Sequence, residues 1–130
     1  MTVTGGCLCG SLRYEAKVKP QISIICCCRQ CQRITGSGHA AQFGLPRAEV
    51  SITGEPKVHL LVADSGNTVS SAFCRDCGSP LFKATSGFPD TVFFHAATLD
   101  DPASFKPQSV VWTKSKQPWD QIDPAIPIHA

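Results

Sequence analysis

The feature that most constrains this 130-residue chain is its set of eight cysteines. Their spacing is repetitive. Cys7-Leu8-Cys9 and Cys26-Cys27-Cys28 are C-x-C, while Cys28-Arg29-Gln30-Cys31 and Cys74-Arg75-Asp76-Cys77 are C-x-x-C. Adjacent cysteines make poor disulfide partners, because the bond wants Cα atoms roughly 4.4–6.8 Å apart. In a reducing compartment such clustering points to metal or catalysis instead. In extended backbone, residues i and i+2 point to the same side, so C-x-C offers two thiolates to one ion. C-x-x-C does the same across a tight turn, and Gly78 after Cys77 gives that turn room. Each pair is half of a tetrahedral four-thiolate zinc site.

Cys7 and Cys9 with Cys74 and Cys77 make one complete site. A metal there closes a long loop and ties the first strand to a distant hairpin, and structural zinc is worth on the order of 10 kcal/mol. Spacing also admits Cys7 and Cys9 with Cys28 and Cys31, which leaves Cys74 and Cys77 without partners. In the first pairing Cys26, Cys28 and Cys31 remain as C-x-C-x-x-C. Three thiolates leave the fourth position open, the mark of a zinc that binds substrate. Cys27 should point away from Cys26 and Cys28, as a core thiol or a residue behind the ligands.

The rest of the chain reads as one domain, 1–130, mainly β, built from short antiparallel sheets with little helix. Ten glycines and ten prolines supply the turns. Strands are expected at 11–16, 22–26, 50–53, 58–62, 68–73, 81–84, 92–97 and 109–112. One helical turn is expected at 30–35 before Gly36. A short helical start is expected at 101–104, with Asp101 as cap and Pro102 in the first turn. The segment 119–128 should be extended, tucking Trp119 and Ile122 onto the body, and the apolar positions of the strands should be core. No apolar run is long enough to cross a membrane. The N-terminus lacks a basic region followed by an apolar run, which argues against a secretory signal and for a cytoplasmic protein. A formal charge of +2 gives no reason to expect nucleic acid as a partner.

Together these stretches resemble the glutathione-dependent formaldehyde-activating family, which also includes centromere-protein-V-like domains. The matching residues begin with Gly5-Gly6-Cys7-Leu8-Cys9-Gly10-Ser11-Leu12-Arg13-Tyr14 and Cys26-Cys27-Cys28-Arg29-Gln30-Cys31-Gln32-Arg33. They continue through Thr35-Gly36, Gly54-Glu55-Pro56 and Phe73-Cys74-Arg75-Asp76-Cys77-Gly78-Ser79-Pro80-Leu81. Thr98-Leu99-Asp100-Asp101-Pro102 and Ser115-Lys116-Gln117-Pro118-Trp119 complete them. The resemblance implies a β-tent-like zinc fold with two zinc ions per chain. It puts Cys7, Cys9, Cys74 and Cys77 on a structural zinc, and Cys26, Cys28 and Cys31 on a second, more labile one. Cys27 departs from the family, which usually has histidine there. The chain is also shorter than the enzyme that gave the family its name.

The activity expected is that of a carbon–sulfur lyase. A small thiol, glutathione or a similar one, would take the fourth position as thiolate and add to an aldehyde such as formaldehyde. Arg29 and Arg33 flank the three cysteines and are candidates to compensate charge or to hold a substrate carboxylate. His39 and His95 are candidate proton shuttles. Asp100 and Asp101 are read as caps or turns, and Phe43, Phe73 and Trp112 as core or pocket wall. One alternative is a non-catalytic zinc-stabilised module that binds protein or nucleic acid. Another is a redox or zinc-buffering role for residues 26–31.

Overall fold

The computed structural model describes residues 2–129. In chain order its elements are β1 (Val3–Gly6), β2 (Arg13–Ala16), β3 (Ile22–Cys26), α1 (Arg29–Thr35), β4 (Ala40–Pro46), β5 (Val50–Thr53), β6 (Lys57–Val62), β7 (Thr68–Phe73), β8 (Pro80–Thr85), β9 (Thr91–His95), β10 (Ser109–Val111) and β11 (Ile128–His129), with short 3₁₀ turns between some of them. The strands form two sheets. The smaller has the order β1-β2-β5 and the larger β11-β10-β3-β4-β9-β8-β7-β6. The protein is thus mainly β.

The small sheet follows from simple alternation. In β2, Tyr14 and Ala16 are buried while Arg13 and Glu15 face water. Val3, Leu12, Tyr14 and Ala16 then pack on Phe43, Leu45, Val92 and Phe94 of the large sheet. Phe94 is the centre of this core. Its ring lies 4.1 Å from Tyr14, 5.3 Å from Phe82 and 5.9 Å from Phe43. Cys7 and Cys74 border the same core.

The other face of the large sheet can be read from its register. Cys26 pairs with Ala40, Gln42 with His95, and Phe93 with Lys83. Directly opposed residues share a face, as do residues two apart on one strand. Cys26, Ala40, Gln42, His95, Phe93 and Lys83 therefore line one side, with Phe43, Phe82 and Phe94 on the other.

Several expectations need correction. Strands β1, β4 and β11 were not expected. In β4, Ala-Ala-Gln-Phe-Gly-Leu-Pro has no β-branched residue and Phe43 alone favours a strand, so propensity gives little signal. Its place between β3 and β9 depends instead on small side chains. A Cβ on Gly44 would come within 2.7 Å of Ile22 Cγ2. β10 runs parallel to both β3 and β11. Asp101 makes no side-chain cap. The tail docks through Asp120 and Ile122, whereas Trp119 is 66% exposed. Val58, Leu60 and Val62 are exposed too, because β6 is the outermost strand of the large sheet.

Candidate metal centre

Two thiol clusters stand out among the described residues: Cys7, Cys9, Cys74 and Cys77, and separately Cys26, Cys28 and Cys31. The first is built from two turns. β1 ends at Gly6, and the chain reverses through Cys7–Gly10, where the Gly10 amide donates to the Cys7 carbonyl at 3.2 Å. The Cys7-Leu8-Cys9 pair is therefore carried on a turn and is not extended; Leu8 at its tip is 87% exposed. Between β7 and β8, the Gly78 amide donates to the Cys74 carbonyl at 2.8 Å. Gly10 and Gly78 have φ of 82° and 77°, and that left-handed backbone is what glycine supplies to both turns.

The sulfur geometry suits a metal. Cys9 Sγ lies 3.6 Å from Cys7 Sγ and 3.7 Å from Cys74 Sγ. A tetrahedron with metal–sulfur bonds of about 2.3 Å has edges of about 3.8 Å. Hydrogen-bond donors sit behind the sulfurs. The Leu12 amide donates to Cys7 Sγ at 3.3 Å, and the Ser11 hydroxyl is 3.2 Å from both Cys9 and Cys74 Sγ. Ser79 Oγ is 3.2 Å from Cys77 Sγ and accepts from the Leu8 amide, which stitches the two turns together. The Ser79 hydroxyl and amide, with the Cys9 amide, lower the Cys77 thiol to about 5. Burial pushes the Cys7 thiol up, but the Leu12, Ser11 and thiol hydrogen bonds outweigh it and bring it to about 7. These donors favour thiolate, the form that ligates.

The second cluster joins a strand end to a helix start. Cys26 closes β3, and Cys28 is the N-cap of α1, its sulfur accepting from the Cys31 amide at 3.3 Å. C-x-x-C here is a capped first turn. Gly36 closes the helix in left-handed conformation, its amide donating to the Gln32 carbonyl. Cys26 and Cys31 pack on Ala40. Cys27 is fully buried on the opposite side, among Ile25, Val110, Ile122 and Ile126. Hydrogen bonds from Cys26 and Cys31 pull the Cys28 thiol well below its usual range, while Cys26 and Cys28, with burial, push Cys31 far up. One thiolate is easy to form here, and further ones need a cation.

That cluster contains no fourth cysteine, histidine or carboxylate among the described residues. Arg29 is exposed and donates to Gln32 Oε1 on its own helix, and Arg33 is exposed in the last turn. The side chain that reaches a thiol is Lys83, whose Nζ donates to Cys31 Sγ at 3.6 Å. Spacing gave no hint of it, since Lys83 comes from β8, far along the chain. Ser11 and Ser79 were also missed, although each lies two residues after a cysteine.

His39 and His95 both line a cleft of about 680 Å³ that also touches Cys7, Leu8, Ser37 and the Arg13–Asp100 ion pair. His39 Nδ1 is 2.8 Å from Asp120 Oδ2, which orients the ring. His95 is buried, and its Nε2 has no hydrogen-bond partner among the described residues. Burial, helped by Lys83, pushes His95 down to about 4. It is therefore neutral at physiological pH and unsuited to shuttle protons there. Between pH 6.5 and about 4 the unfolded histidine binds a proton that the folded one refuses, so stability must fall with acidity in that window. Unfolding free energies from urea titrations across it should show wild type losing up to about 3 kcal/mol relative to His95→Gln as pH drops. Parallel profiles would refute this assignment.

Comparison with known proteins agrees with the fold. A crystal structure of a Rhodobacter sphaeroides protein superposes with a TM-score of 0.56 at 23% identity, covering 75% of this chain and 87% of that one. A search of curated proteins finds no match. The family described as glutathione-dependent formaldehyde-activating enzyme matches residues 2–115, and the chain, with its two thiol clusters in place, belongs to that family.

Proposed function

We propose that this chain is a zinc-dependent enzyme, working as one cytoplasmic domain, that joins a small thiol to an aldehyde or reverses that reaction as a carbon–sulfur lyase. Glutathione and formaldehyde are the substrates suggested by the family. The observation that carries this reading is the contrast between the clusters. Four cysteines close one site, whereas three leave a place for an external ligand at the other. We assign Cys7, Cys9, Cys74 and Cys77 to a zinc that holds the fold, and Cys26, Cys28 and Cys31 to a second, more labile zinc.

When bound, that second zinc supplies a lowered thiol pKa and an anchor for the substrate sulfur. The protein does the rest. Cys28 fixes its sulfur by capping α1, and Ala40 backs Cys26 and Cys31. Arg33, exposed on α1, is available to a substrate carboxylate, and Arg29 is available if it releases Gln32. His39, its ring oriented by Asp120, lines the neighbouring cleft. The sulfur bonds the aldehyde carbon, and the carbonyl oxygen takes up the proton that the thiol gives away. Nothing is oxidised.

Cobalt in place of zinc makes thiolate ligation visible. Two cobalt ions per chain are expected, and glutathione should change the charge-transfer band of one of them. A spectrum indifferent to any thiol would sink this reading, as would S-hydroxymethyl adduct formation no faster than in buffer.

A further inference from the structure

We propose that Lys83 is the counter-charge of the Cys26–Cys28–Cys31 site, and that it sets how tightly this site holds a metal and an anionic fourth ligand. The inference rests on the reading of that cluster as a metal site and adds a residue to it.

The need comes from arithmetic. A divalent ion with three thiolates carries one net negative charge, and a fourth thiolate makes it two. The site is half enclosed, with Cys26 and Cys31 buried and Cys28 partly so. Uncompensated charge is costly in such a place. A cation within a few ångströms is the usual remedy.

Position selects Lys83. Its Nζ is 3.6 Å from Cys31 Sγ. It stands on β8 opposite Phe93, on the sheet face that carries Cys26 and Ala40. Its ammonium lies 5.9 Å from the centre of the Phe93 ring, so the stem is laid across the sheet towards the cluster. Ser71 flanks it on β7. Among the described residues no carboxylate is ion-paired with it. The ion pairs of the described residues are Arg13 with Asp100 and His39 with Asp120. The neighbouring His95 is uncharged near neutral pH and Gln42 is neutral, so Lys83 has only sulfur to balance. Arg29, which follows Cys28 in sequence, hydrogen-bonds Gln32 on its own helix.

A lysine suits this task. Its ammonium is a compact point charge on a flexible stem and can follow the sulfurs as a fourth ligand arrives. It acts on the site through Cys31, so it is a positioning residue.

The test compares wild type with Lys83→Met and Lys83→Arg, each loaded with zinc or cobalt. Chelator competition reads the two metal affinities separately. Lys83→Met should weaken the second metal by roughly 10–100-fold, the range typical of residues behind a ligand, and leave the first unchanged. Titration of the cobalt form with 2-mercaptoethanol and with imidazole reads the charge effect. Thiolate binding should fall about tenfold or more in Lys83→Met, neutral imidazole should change less than twofold, and Lys83→Arg should restore most of the loss. Equal weakening of both ligands means a merely structural role and overturns the proposal. So does an unchanged second-metal affinity. A wild-type protein that takes up a single metal overturns the two-site reading itself, and the Lys83 proposal falls with it by a different route.

Discussion

Replacing Cys74 with serine is expected to leave the protein unfolded. Cys74 borders both the four-cysteine cluster and the core around Phe94. Its backbone closes the β7–β8 turn, and its sulfur meets Cys9 across a long stretch of chain. Structural zinc contributes on the order of 10 kcal/mol, whereas a whole domain of this size is stable by only about 5–15 kcal/mol. With zinc in the four-cysteine site as proposed, losing it would remove most or all of that margin. The useful control is Cys27, which is as deeply buried but outside both clusters. Truncating it to alanine removes only a sulfur from a packed site and should cost about 1–2 kcal/mol. Half-exposed Cys77 should behave like Cys74, because the lost quantity is metal, not burial. Far-UV circular dichroism and amide dispersion would distinguish these cases. A cooperative melt for Cys74→Ser within about 2 kcal/mol of wild type would show that the cluster does not hold the fold.

The sequence is most legible where one local rule decides the structure. Alternation marks β2 and β7, and β-branched runs mark β3 and β5; the limits of β3, β5 and β7 coincide with the expected spans. Gly36 marks the end of α1 through its left-handed conformation. Legibility fails where distant chain supplies the reason. β4 is a strand because β3 and β9 enclose it, not because its residues prefer extension. Val58, Leu60 and Val62 look like core yet lie on an edge, a position that no local pattern encodes.

The site divides in the same way. C-x-C and C-x-x-C spacing shows that thiols come in pairs, and extension through Cys26 and Cys28 does turn Cys27 away. Spacing does not say which pairs meet. That depends on the β1–β2 and β7–β8 turns lying side by side, stitched by Ser79 to the Leu8 amide. Lys83 is the extreme case. Its relation to Cys31 exists only once β3, β4, β9 and β8 stand in register, and a single lysine in a strand carries no signal of that.

Serine at Cys26 is expected to produce the opposite phenotype from serine at Cys74: a folded protein without its second metal and without activity. Cys26 ends a strand whose partners on both sides, β4 and β10, remain in place. Its cluster includes only Cys31, Ala40, Cys28 and Val111, and none of the aromatic core. A Cys→Ser change there should cost little more than about 1–2 kcal/mol of stability. Metal binding is another matter. Two thiolates and a hydroxyl replace three thiolates, so affinity should fall beyond the roughly 10–100-fold that follows loss of a residue behind a ligand. Metal analysis should give one zinc per chain, and thiol-dependent adduct formation should drop to the buffer rate. Cys31→Ser tests the same point from the helix side, and there the Cys28 sulfur keeps its cap on the Cys31 amide, so α1 should persist. If Cys26→Ser and Cys74→Ser were tolerated equally, or were equally ruinous to the fold, the division into a holding site and a working site would fail. That division is what assigns the chemistry to the cluster with three cysteines.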